Sequence, residues 1–393
     1  MKKILIIEDD QLVANIYRNK LAVEGFQVEV ALTGEDGCLQ MVNDKPDVII
    51  LDLSLPKMTG IEVLKKIRSE ALTEKIPVIV FSNTYLTRLV EEAWKSGATK
   101  CLSKSNCSPK EVLDAVRSTL GVKIDTAPKD QTQFEPRAKI ALTQKLTESQ
   151  TEFRTAMNSN FPQRIAMIRA SIQALAKATT DAEKAKLLSE LVQTIHKVTN
   201  NASVSGLGLV AQLSEAVEAM LTEFHQKPSE VTPSAVRTLA NAVDFLPALF
   251  DHVSLTGTQC MSNSNILVVD DEPIARRAVT HALERAKLKS TAVDDASSAL
   301  QMLQNHTYDL VFLDVDMPQI NGHELCSKLR ALPSHKFTPV VFVTSNTELS
   351  NRASSMISGG NDFIGKPFHF LELAVKSLVY VMKAKVQPQK VAV

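Results

Sequence analysis

Two short stretches of sequence decide the fold: Ile-Leu-Ile-Ile-Glu-Asp-Asp at residues 4–10 and Ile-Leu-Val-Val-Asp-Asp-Glu at residues 266–272. In each stretch, four apolar residues, most of them β-branched, are followed at once by acidic residues. A short, continuous apolar run is typical of a strand that is buried on both faces, as in a parallel sheet. The stretches therefore predict two sheets, each with carboxylates at the carboxyl end of its first strand.

The two stretches belong to a longer internal repeat. Six pairs of marker residues are all separated by the same 262 positions. A duplicated domain, without insertion or deletion between its markers, explains this constant spacing. The pairs are Glu8 and Asp270, Asp52 and Asp314, Pro56 and Pro318, Gly60 and Gly322, Ser82 and Thr344, and Lys104 and Lys366.

Further apolar runs in each copy alternate with segments of helical periodicity. In the first copy the runs are residues 48–51 and 78–81, and in the second they are 310–313 and 340–343. A βαβαβ order of this kind predicts a parallel sheet covered by helices on both sides. We therefore expect two five-stranded, doubly wound α/β domains.

The chain between the two copies changes character twice. Residues 123–139 are polar, contain two prolines and lack periodicity, which predicts a linker. Residues 140–258 carry apolar residues at helical spacing, with helix starts near Pro162, Asp181, Gly208 and Pro233, which predicts an all-α bundle of four antiparallel helices. The predicted organisation is a first α/β domain at 1–122, the linker at 123–139, the bundle at 140–258, a second α/β domain at 264–385 and a tail at 386–393.

Composition narrows the class of protein. Lys plus Arg and Asp plus Glu are both 44, so zero net charge gives no general attraction to nucleic acid or anionic lipid. The five cysteines are scattered and never spaced as Cys-x-x-Cys, which fits a reducing compartment. The first apolar run is too short for a signal peptide or a membrane span. We expect a cytoplasmic protein without membrane insertion or direct nucleic acid binding.

Polar side chains follow the predicted strands of the first copy. Glu8 and Asp9 follow the first strand, Asp52 the third, Ser82 the fourth and Lys104 the fifth. In a doubly wound sheet these carboxyl ends converge on one edge, where ligands bind. Three carboxylates there would repel one another unless a cation such as Mg²⁺ neutralised them. A hydroxyl and an ammonium beside that ion would suit a phosphoryl group moving onto a carboxylate oxygen.

On these residues, both α/β domains resemble response-regulator receiver domains, which have a flavodoxin-like fold. In that family an aspartate accepts phosphate from a histidine kinase or a phosphotransfer protein. The resemblance covers residues 1–122 and 264–385 and implies Mg²⁺ as cofactor and Asp52 and Asp314 as phospho-acceptors. It further implies an acidic metal pocket of Glu8, Asp9, Asp270 and Asp271, metal-binding backbone carbonyls at Ser54 and Asp316, a phosphate-following hydroxyl at Ser82 and Thr344, and a pairing lysine at Lys104 and Lys366.

The two copies differ at three positions that matter in the family. The second copy matches the family pattern with an aromatic switch residue, a small residue after the hydroxyl and a proline after the lysine, where a cis peptide bond forms. We expect the second domain to switch more conventionally than the first. The residues are Phe363, Ser345 and Pro367 in the second copy, and Cys101, Asn83 and Ser105 in the first.

His196 lies at the border of an apolar helical stripe in the predicted bundle. Residues 150–253 resemble a histidine phosphotransfer domain, which implies that His196 is a phospho-acceptor projecting into solvent. The family places lysine three positions later and glycine four later, whereas this chain has Thr199 and Asn200. A histidine without chemistry is an equally acceptable interpretation of this position.

The predicted function is that of a two-component phosphorelay response regulator. It is a phospho-acceptor with Mg²⁺-dependent self-phosphorylation and dephosphorylation, rather than an enzyme that acts on a separate substrate. The expected partners are a sensor histidine kinase or phosphotransfer protein and a downstream protein target, and a homodimer is also compatible with the sequence. The alternative is a non-catalytic scaffold or dimerisation protein with a degenerate phosphotransfer bundle that the receivers tune.

Overall fold

The structure is a computed structural model and describes residues 1–83, 88–104, 107, 109–122, 161–257, 264–345 and 358–386. The predicted linker and the first part of the predicted bundle, up to residue 160, lie outside the described residues. All of the predicted tail except residue 386 also lies outside them.

The chain divides into two compact units. Residues 1–164 and 194–215 form the first unit, and residues 165–193 and 216–393 form the second. Part of the helical middle therefore belongs with each α/β domain.

The first α/β domain contains a five-stranded sheet in the order β2-β1-β3-β4-β5. Every neighbouring pair of strands is parallel, with Ile4 aligned with Val28 on one side and Val48 on the other. The strands are β1 (Lys3–Ile7), β2 (Gln27–Ala31), β3 (Val48–Leu51), β4 (Val78–Ser82) and β5 (Lys100–Ser103).

Consecutive residues of the inner strands pack into cores on opposite faces of this sheet. Leu5 and Ile7 belong to the core on one face, and Ile4 and Ile6 belong to the core on the other. Helices cover both faces, so the continuous apolar run at residues 4–7 is buried throughout, as its sequence predicts. The helices are α1 (Gln11–Val23), α2 (Gly34–Asp44), α3 (Gly60–Ser69), α4 (Arg88–Lys95) and α5 (Pro109–Thr119).

Within the described residues 161–257, three α-helices begin where the sequence predicts, near Asp181, Gly208 and Pro233, and a further helix covers residues 161–177. The predicted start near Pro162 adjoins residues that lie outside the described part of the chain. These helices are α6, described over residues 161–177, α7 (Asp181–Val204), α8 (Gly208–Gln226) and α9 (Pro233–Thr256). The residue that caps α7 is Thr180, whose hydroxyl accepts the Glu183 N–H at 3.2 Å. No described helix combines the length and the apolar character that a membrane span requires.

The second α/β domain repeats the first, with strand order β7-β6-β8-β9-β10 and parallel pairing throughout. The repeat extends to single contacts: Arg68 Nη2 donates to the Gly97 carbonyl at 2.7 Å, and Arg330 Nη2 donates to the Gly359 carbonyl at 2.7 Å. The elements are β6 (Asn265–Val269), α10 (Pro273–Arg285), β7 (Lys289–Val293), α11 (Ala296–Asn305), β8 (Leu310–Asp314), α12 (Gly322–Ala331), β9 (Val340–Thr344), β10 (Asp362–Gly365) and α13 (Phe370–Val386).

Candidate functional site

The predicted polar residues of the first domain meet at the carboxyl edge of its sheet. Glu8 follows β1, Asp52 follows β3, Ser82 ends β4 and Lys104 follows β5. The Lys104 ammonium lies 2.6 Å from Glu8 Oε2 and 2.6 Å from Asp52 Oδ2. All four residues are buried, and the Lys104 side chain is only 2% exposed. The first domain therefore holds a closed cluster of one cation and two carboxyl groups.

The two carboxyl groups of this cluster differ in the direction of their pKa shifts. Burial alone would raise the pKa of Asp52, but the charges of Lys104 and His196 hold it below its usual value. Burial raises the pKa of Glu8 to about 8, with Lys104 opposing and Asp52 adding to the shift. Although burial opposes its charge, Lys104 has a raised pKa because Asp52 and Glu8 stabilise the ammonium. Of the two carboxyl groups that contact Lys104, Asp52 is therefore the more readily ionised.

The second domain builds the same site with a more accessible lysine. Lys366 Nζ lies 2.8 Å from Asp270 Oδ2 and 3.3 Å from Asp314 Oδ2, and its side chain is 16% exposed. Burial raises the pKa of Asp314, with the Lys366 charge opposing that shift. The pKa of Lys366 is raised by its bonds to Asp270 and Asp314, against the effect of burial. The second acceptor site is thus less tightly closed than the first.

The acidic residues of both sites fit a hard divalent cation. Ligand oxygens of Asp270, Asp271 and Asp314 all lie within 4.8 Å of one another. In the first domain Asp9 and Asp52 share such a cluster, and the buried Oδ1 of Asp9 has no hydrogen-bond partner among the described residues. Mg²⁺ binds oxygen ligands at about 2.0–2.1 Å, so small side-chain shifts would bring these carboxylates onto one ion.

Backbone hydrogen bonds tie each lysine to the residue that carries the hydroxyl. The Lys104 N–H donates to the Ser82 carbonyl at 3.2 Å, and the Lys366 N–H donates to the Thr344 carbonyl at 2.7 Å. Both hydroxyl residues are buried at the ends of their strands. The sheet register therefore places the hydroxyl and the ammonium on the same edge in both domains. The peptide bond from Lys366 to Pro367 is cis, as predicted, whereas Ser105 lies outside the described residues.

A glycine after each acceptor aspartate permits a close backbone approach. A Cβ atom at Gly60 would lie 2.1 Å from the Asp52 carbonyl oxygen, and one at Gly322 would lie 2.1 Å from the Asp314 carbonyl oxygen. These contacts are far inside van der Waals distance, so only glycine fits without a backbone shift. The repeated glycines hold the loop after each acceptor strand against that strand. In the first loop, the Ser54 N–H donates to Asp52 Oδ1 at 3.1 Å.

His196 lies in a different environment from the one that the sequence predicts. We expected a side chain projecting into solvent, but the structure buries it to 9% exposure. In the first unit, a ring nitrogen of His196 and carboxylate oxygens of Asp9 and Asp52 all lie within 4.8 Å of one another. The border position in the apolar stripe gave no sign of this contact, because it joins segments more than 140 residues apart in sequence.

A chain of hydrogen bonds fixes the imidazole. Asn200, one helical turn after His196, donates from Nδ2 to His196 Nε2 at 3.0 Å. Asn83 Nδ2 in turn donates to Asn200 Oδ1 at 2.8 Å. Thr199, where the resemblance implies a lysine, is buried and donates its hydroxyl to the Ile195 carbonyl at 3.0 Å. Asn83 and Asn200, which both depart from the family patterns, thus bond to each other, and Asn200 also holds the imidazole ring.

The predicted switch positions also differ between the two domains. Phe363 is half-buried against the second domain's core, and the Arg237 guanidinium of α9 lies 5.1 Å from its ring centroid. Cys101, at the corresponding position of the first domain, packs against that domain's core. Ser345 donates to Asp316 Oδ2 at 3.3 Å. Only the second domain combines an aromatic side chain at this position with a contact from a middle helix.

Comparisons with known proteins agree with this geometry. The family model described as the response regulator receiver domain matches residues 4–117 and 266–377. The transcriptional regulatory protein SrrA of Staphylococcus aureus is 36% identical over 121 residues, which are 30% of this chain and 48% of SrrA. The chain thus spans about half the length of the curated relatives that it matches.

Two solved structures resemble parts of the chain. The chemotaxis protein CheY4 of Vibrio cholerae is 29% identical and has a TM-score of 0.29, covering 30% of this chain and 99% of its own. The receiver domain of the sensor histidine kinase PA1611 from Pseudomonas aeruginosa, with a magnesium ion coordinated in its active-site cleft, is 24% identical and has a TM-score of 0.28. That match covers 30% of this chain and 98% of the other.

Proposed function

The chain belongs to the response regulator receiver domain family, and from this premise we propose that it is a phosphorelay protein whose two receiver domains accept a phosphoryl group on Asp52 and Asp314. In each domain the acceptor oxygen forms a bond to phosphorus as the bond between phosphorus and the donor's leaving group breaks. The protein then signals through domain rearrangement or through contacts with other proteins.

One observation carries the proposal: a carboxylate at the end of the third strand contacts a lysine ammonium after the fifth strand, in both domains and at equivalent positions. The pairs are Lys104 with Asp52, at 2.6 Å, and Lys366 with Asp314, at 3.3 Å. An ammonium in this place can neutralise the charge on the phosphoryl oxygens while the carboxylate takes up the group. The adjacent hydroxyl can donate a hydrogen bond to the same oxygens.

Magnesium belongs to the proposal as the cofactor. When bound, Mg²⁺ supplies positive charge to the phosphoryl oxygens. The residues that would hold it are the two acceptors, the acidic residues after the first strand of each domain and two backbone carbonyls. They are Glu8, Asp9, Asp52 and the carbonyl of Ser54 in the first domain, and Asp270, Asp271, Asp314 and the carbonyl of Asp316 in the second. Among the first group, Glu8 is engaged by the Lys104 ammonium at 2.6 Å, whereas Asp9 and Asp52 share a cluster of ligand atoms, which makes Asp9 and Asp52 the better ligands.

The partners follow from the same chemistry. The proposed phosphoryl donors are a sensor histidine kinase or a phosphotransfer protein, and the proposed output is a downstream protein target. Homodimer formation and a cytoplasmic location also belong to the proposal, and the scattered cysteines support the latter.

Acetyl phosphate with Mg²⁺ tests the acceptor assignment. The full chain should take up phosphate, Asp52→Asn and Asp314→Asn should each retain part of the label, and the double variant should retain none. Asp10→Asn provides a matched control, because this acidic neighbour is outside the assigned set, and it should label normally. Undiminished labelling of the double variant would remove both residues from the mechanism.

A scaffold role is the second candidate function, and one observation favours it. Thr199 stands where the phosphotransfer family has lysine, and its hydroxyl is bonded within its own helix. In a scaffold the middle helices would hold partners without carrying phosphate. Absence of phosphate on all three candidate acceptors, Asp52, Asp314 and His196, would favour this function.

A further inference from the structure

The first unit brings an imidazole and two carboxylates together at the edge of its sheet. A ring nitrogen of His196 and carboxylate oxygens of Asp9 and Asp52 all lie within 4.8 Å of one another. Residues 194–215 belong to the same compact unit as the first α/β domain, and Val204, at the end of α7, packs against the core of that domain. The fold of one unit therefore holds the imidazole beside the carboxylates.

We propose that Asp9, Asp52 and His196 bind a divalent transition-metal ion of the Zn²⁺ type. The inference goes beyond the proposed function, because it does not require that Asp52 accept phosphate. Two oxygens and one nitrogen from the protein, with water in a fourth position, are a common ligand set for zinc. Zinc binds such atoms at about 2.0–2.2 Å, so small side-chain shifts would bring all three ligands onto one ion.

Buried oxygen atoms at this edge of the sheet support a bound cation. Oδ1 of Asp9 and Oε1 of Glu8 are buried, and neither has a hydrogen-bond partner among the described residues. Glu8 is only 3% exposed, and its other oxygen, Oε2, contacts the Lys104 ammonium. A buried carboxylate oxygen without a partner is costly, and coordination to a metal ion removes that cost. Asp9 also belongs to the ligand cluster, so its oxygen is the one that an ion there would satisfy.

The nitrogen ligand distinguishes this site from its counterpart in the second domain. The corresponding cluster among the described residues of that domain consists of three carboxylates, those of Asp270, Asp271 and Asp314. Mg²⁺ takes oxygen ligands, whereas imidazole suits ions such as Zn²⁺, Fe²⁺ and Ni²⁺. The two repeated domains therefore offer different ligands at equivalent sheet edges. We expect the first site to favour a transition metal and the second to favour Mg²⁺.

The amide of Asn200 determines which ring nitrogen can bind the ion. It lies 3.0 Å from Nε2 of His196, so we assign the ligand role to Nδ1. Metal binding at Nδ1 requires that the ring proton lie on Nε2 and be donated to an acceptor. Nδ1 loses a proton and Nε2 gains one, so the imidazole stays neutral.

The two asparagines can supply that acceptor without losing their own contact. A half-turn of the Asn200 amide presents Oδ1 to the Nε2 proton and turns its NH₂ group toward Asn83. The buried Oδ1 of Asn83 has no hydrogen-bond partner in the described part of the chain, and a half-turn of the Asn83 amide brings it to that NH₂ group. The hydrogen-bond chain then runs in the opposite direction and holds His196 as a metal ligand.

Zinc binding to the full chain tests the site. Calorimetric titration with Zn²⁺, in excess Mg²⁺ to occupy the second domain, should reveal a site from which Mg²⁺ does not displace zinc. Even an outer contact of a metal ligand contributes about 10- to 100-fold to affinity, so His196→Gln should weaken this site at least about tenfold. Asp9→Asn should weaken it as well. His225→Gln removes an exposed histidine of α8 and should leave the affinity unchanged.

Two substitutions of Asn200 separate a metal ligand from a merely structural histidine. Asn200→Asp supplies a carboxylate that accepts the Nε2 proton, so zinc affinity should be preserved or increased. Asn200→Ala removes the acceptor and should lower zinc affinity by about 10- to 100-fold. Equal zinc affinity of these two variants would overturn the ligand role of His196.

Nitrogen NMR of the native chain gives a result that does not depend on the stability of a variant. With ¹⁵N-labelled histidine, Zn²⁺ should shift the ring-nitrogen resonances that are absent from the spectrum of His196→Gln. Unchanged His196 resonances at saturating Zn²⁺, or zinc affinity unaltered by His196→Gln, would overturn the inference and leave only an ion pair between the imidazole and the aspartates. No phosphate is used, so failure here is distinct from failure of the acetyl phosphate labelling that tests the proposed function.

Discussion

Asn83 and Asn200, 117 positions apart in sequence, are joined by a 2.8 Å hydrogen bond from Asn83 Nδ2 to Asn200 Oδ1. Each residue departs from its family pattern: Asn83 replaces a small residue after the hydroxyl, and Asn200 replaces a glycine after the histidine. The two departures together form one contact. We interpret them as paired changes that fix α7 to the first receiver domain and orient His196.

Breaking this contact should expose His196. A single hydrogen bond contributes about 0.5–1.5 kcal/mol, so Asn200→Ala should increase the rate of His196 modification by diethylpyrocarbonate by roughly two- to twelvefold. Asn83→Ala should have a similar effect. The exposed residue His225 provides an internal reference, and Asn43→Ala, on the surface of α2, is the matched control. An unchanged His196 rate in both variants would show that the bond does not hold the helix.

The two acceptors should differ in their rate of labelling. The Lys366 side chain is 16% exposed and the Lys104 side chain is 2% exposed, so a small phosphate donor reaches Asp314 more readily. With acetyl phosphate and Mg²⁺, the Asp52→Asn chain should therefore be labelled faster than the Asp314→Asn chain. Faster labelling of the Asp314→Asn chain would contradict the prediction that the more exposed site, at Asp314, reacts faster with a small donor.

Phosphorylation of Asp314 should be transmitted through Phe363 to α9. The Arg237 guanidinium lies over the Phe363 ring, a contact of about 0.5–2 kcal/mol, so movement of the ring changes the packing of α9. Beryllofluoride, a phosphoryl mimic, should alter hydrogen exchange across residues 233–256, and Arg237→Gln should reduce that change. Arg285→Gln removes a similar contact, with Phe370, and should leave the response intact. An equal response in all three chains would exclude this route.

The glycine after the acceptor strand should be intolerant of any side chain. Gly60→Ala places a methyl group against the Asp52 carbonyl, which should lower the free energy of unfolding by about 1–3 kcal/mol. The single tryptophan, Trp94, lies in α4 of the same domain, so its fluorescence in urea reports this unfolding. Lys66→Ala, on the exposed side of α3, should change stability by less than about 0.5 kcal/mol. Equal stability of the two variants would disprove the steric role.

The sequence predicts the two sheets because their signals are local and repeated. Runs such as residues 4–7 and 266–269 must be strands buried on both faces, and the topology of such sheets brings the residues after them to one edge. The Lys104–Asp52 and Lys366–Asp314 contacts follow from that rule. The family comparison confirms both receiver domains over residues 4–117 and 266–377.

The environment of His196 could not be predicted in the same way. Its burial depends on a contact between α7 and the first receiver domain, and the periodicity of α7 shows only which of its faces is apolar. Two positions in the sequence are related to this contact, since Asn83 and Asn200 are polar where the families have small residues. No sequence rule relates two asparagines that are 117 positions apart, so each could be interpreted only as a separate departure from its family pattern.

The central claim is that Asp52 and Asp314 carry the phosphoryl group, and site mapping tests it most directly. The full chain is incubated with acetyl phosphate and Mg²⁺ and treated with borohydride, which reduces an aspartyl phosphate to homoserine, and its peptides are analysed by mass spectrometry. The account predicts homoserine at positions 52 and 314, and at neither position when EDTA removes the metal. Homoserine only at other aspartates, or unchanged Asp52 and Asp314 in a chain that has taken up phosphate, would contradict it.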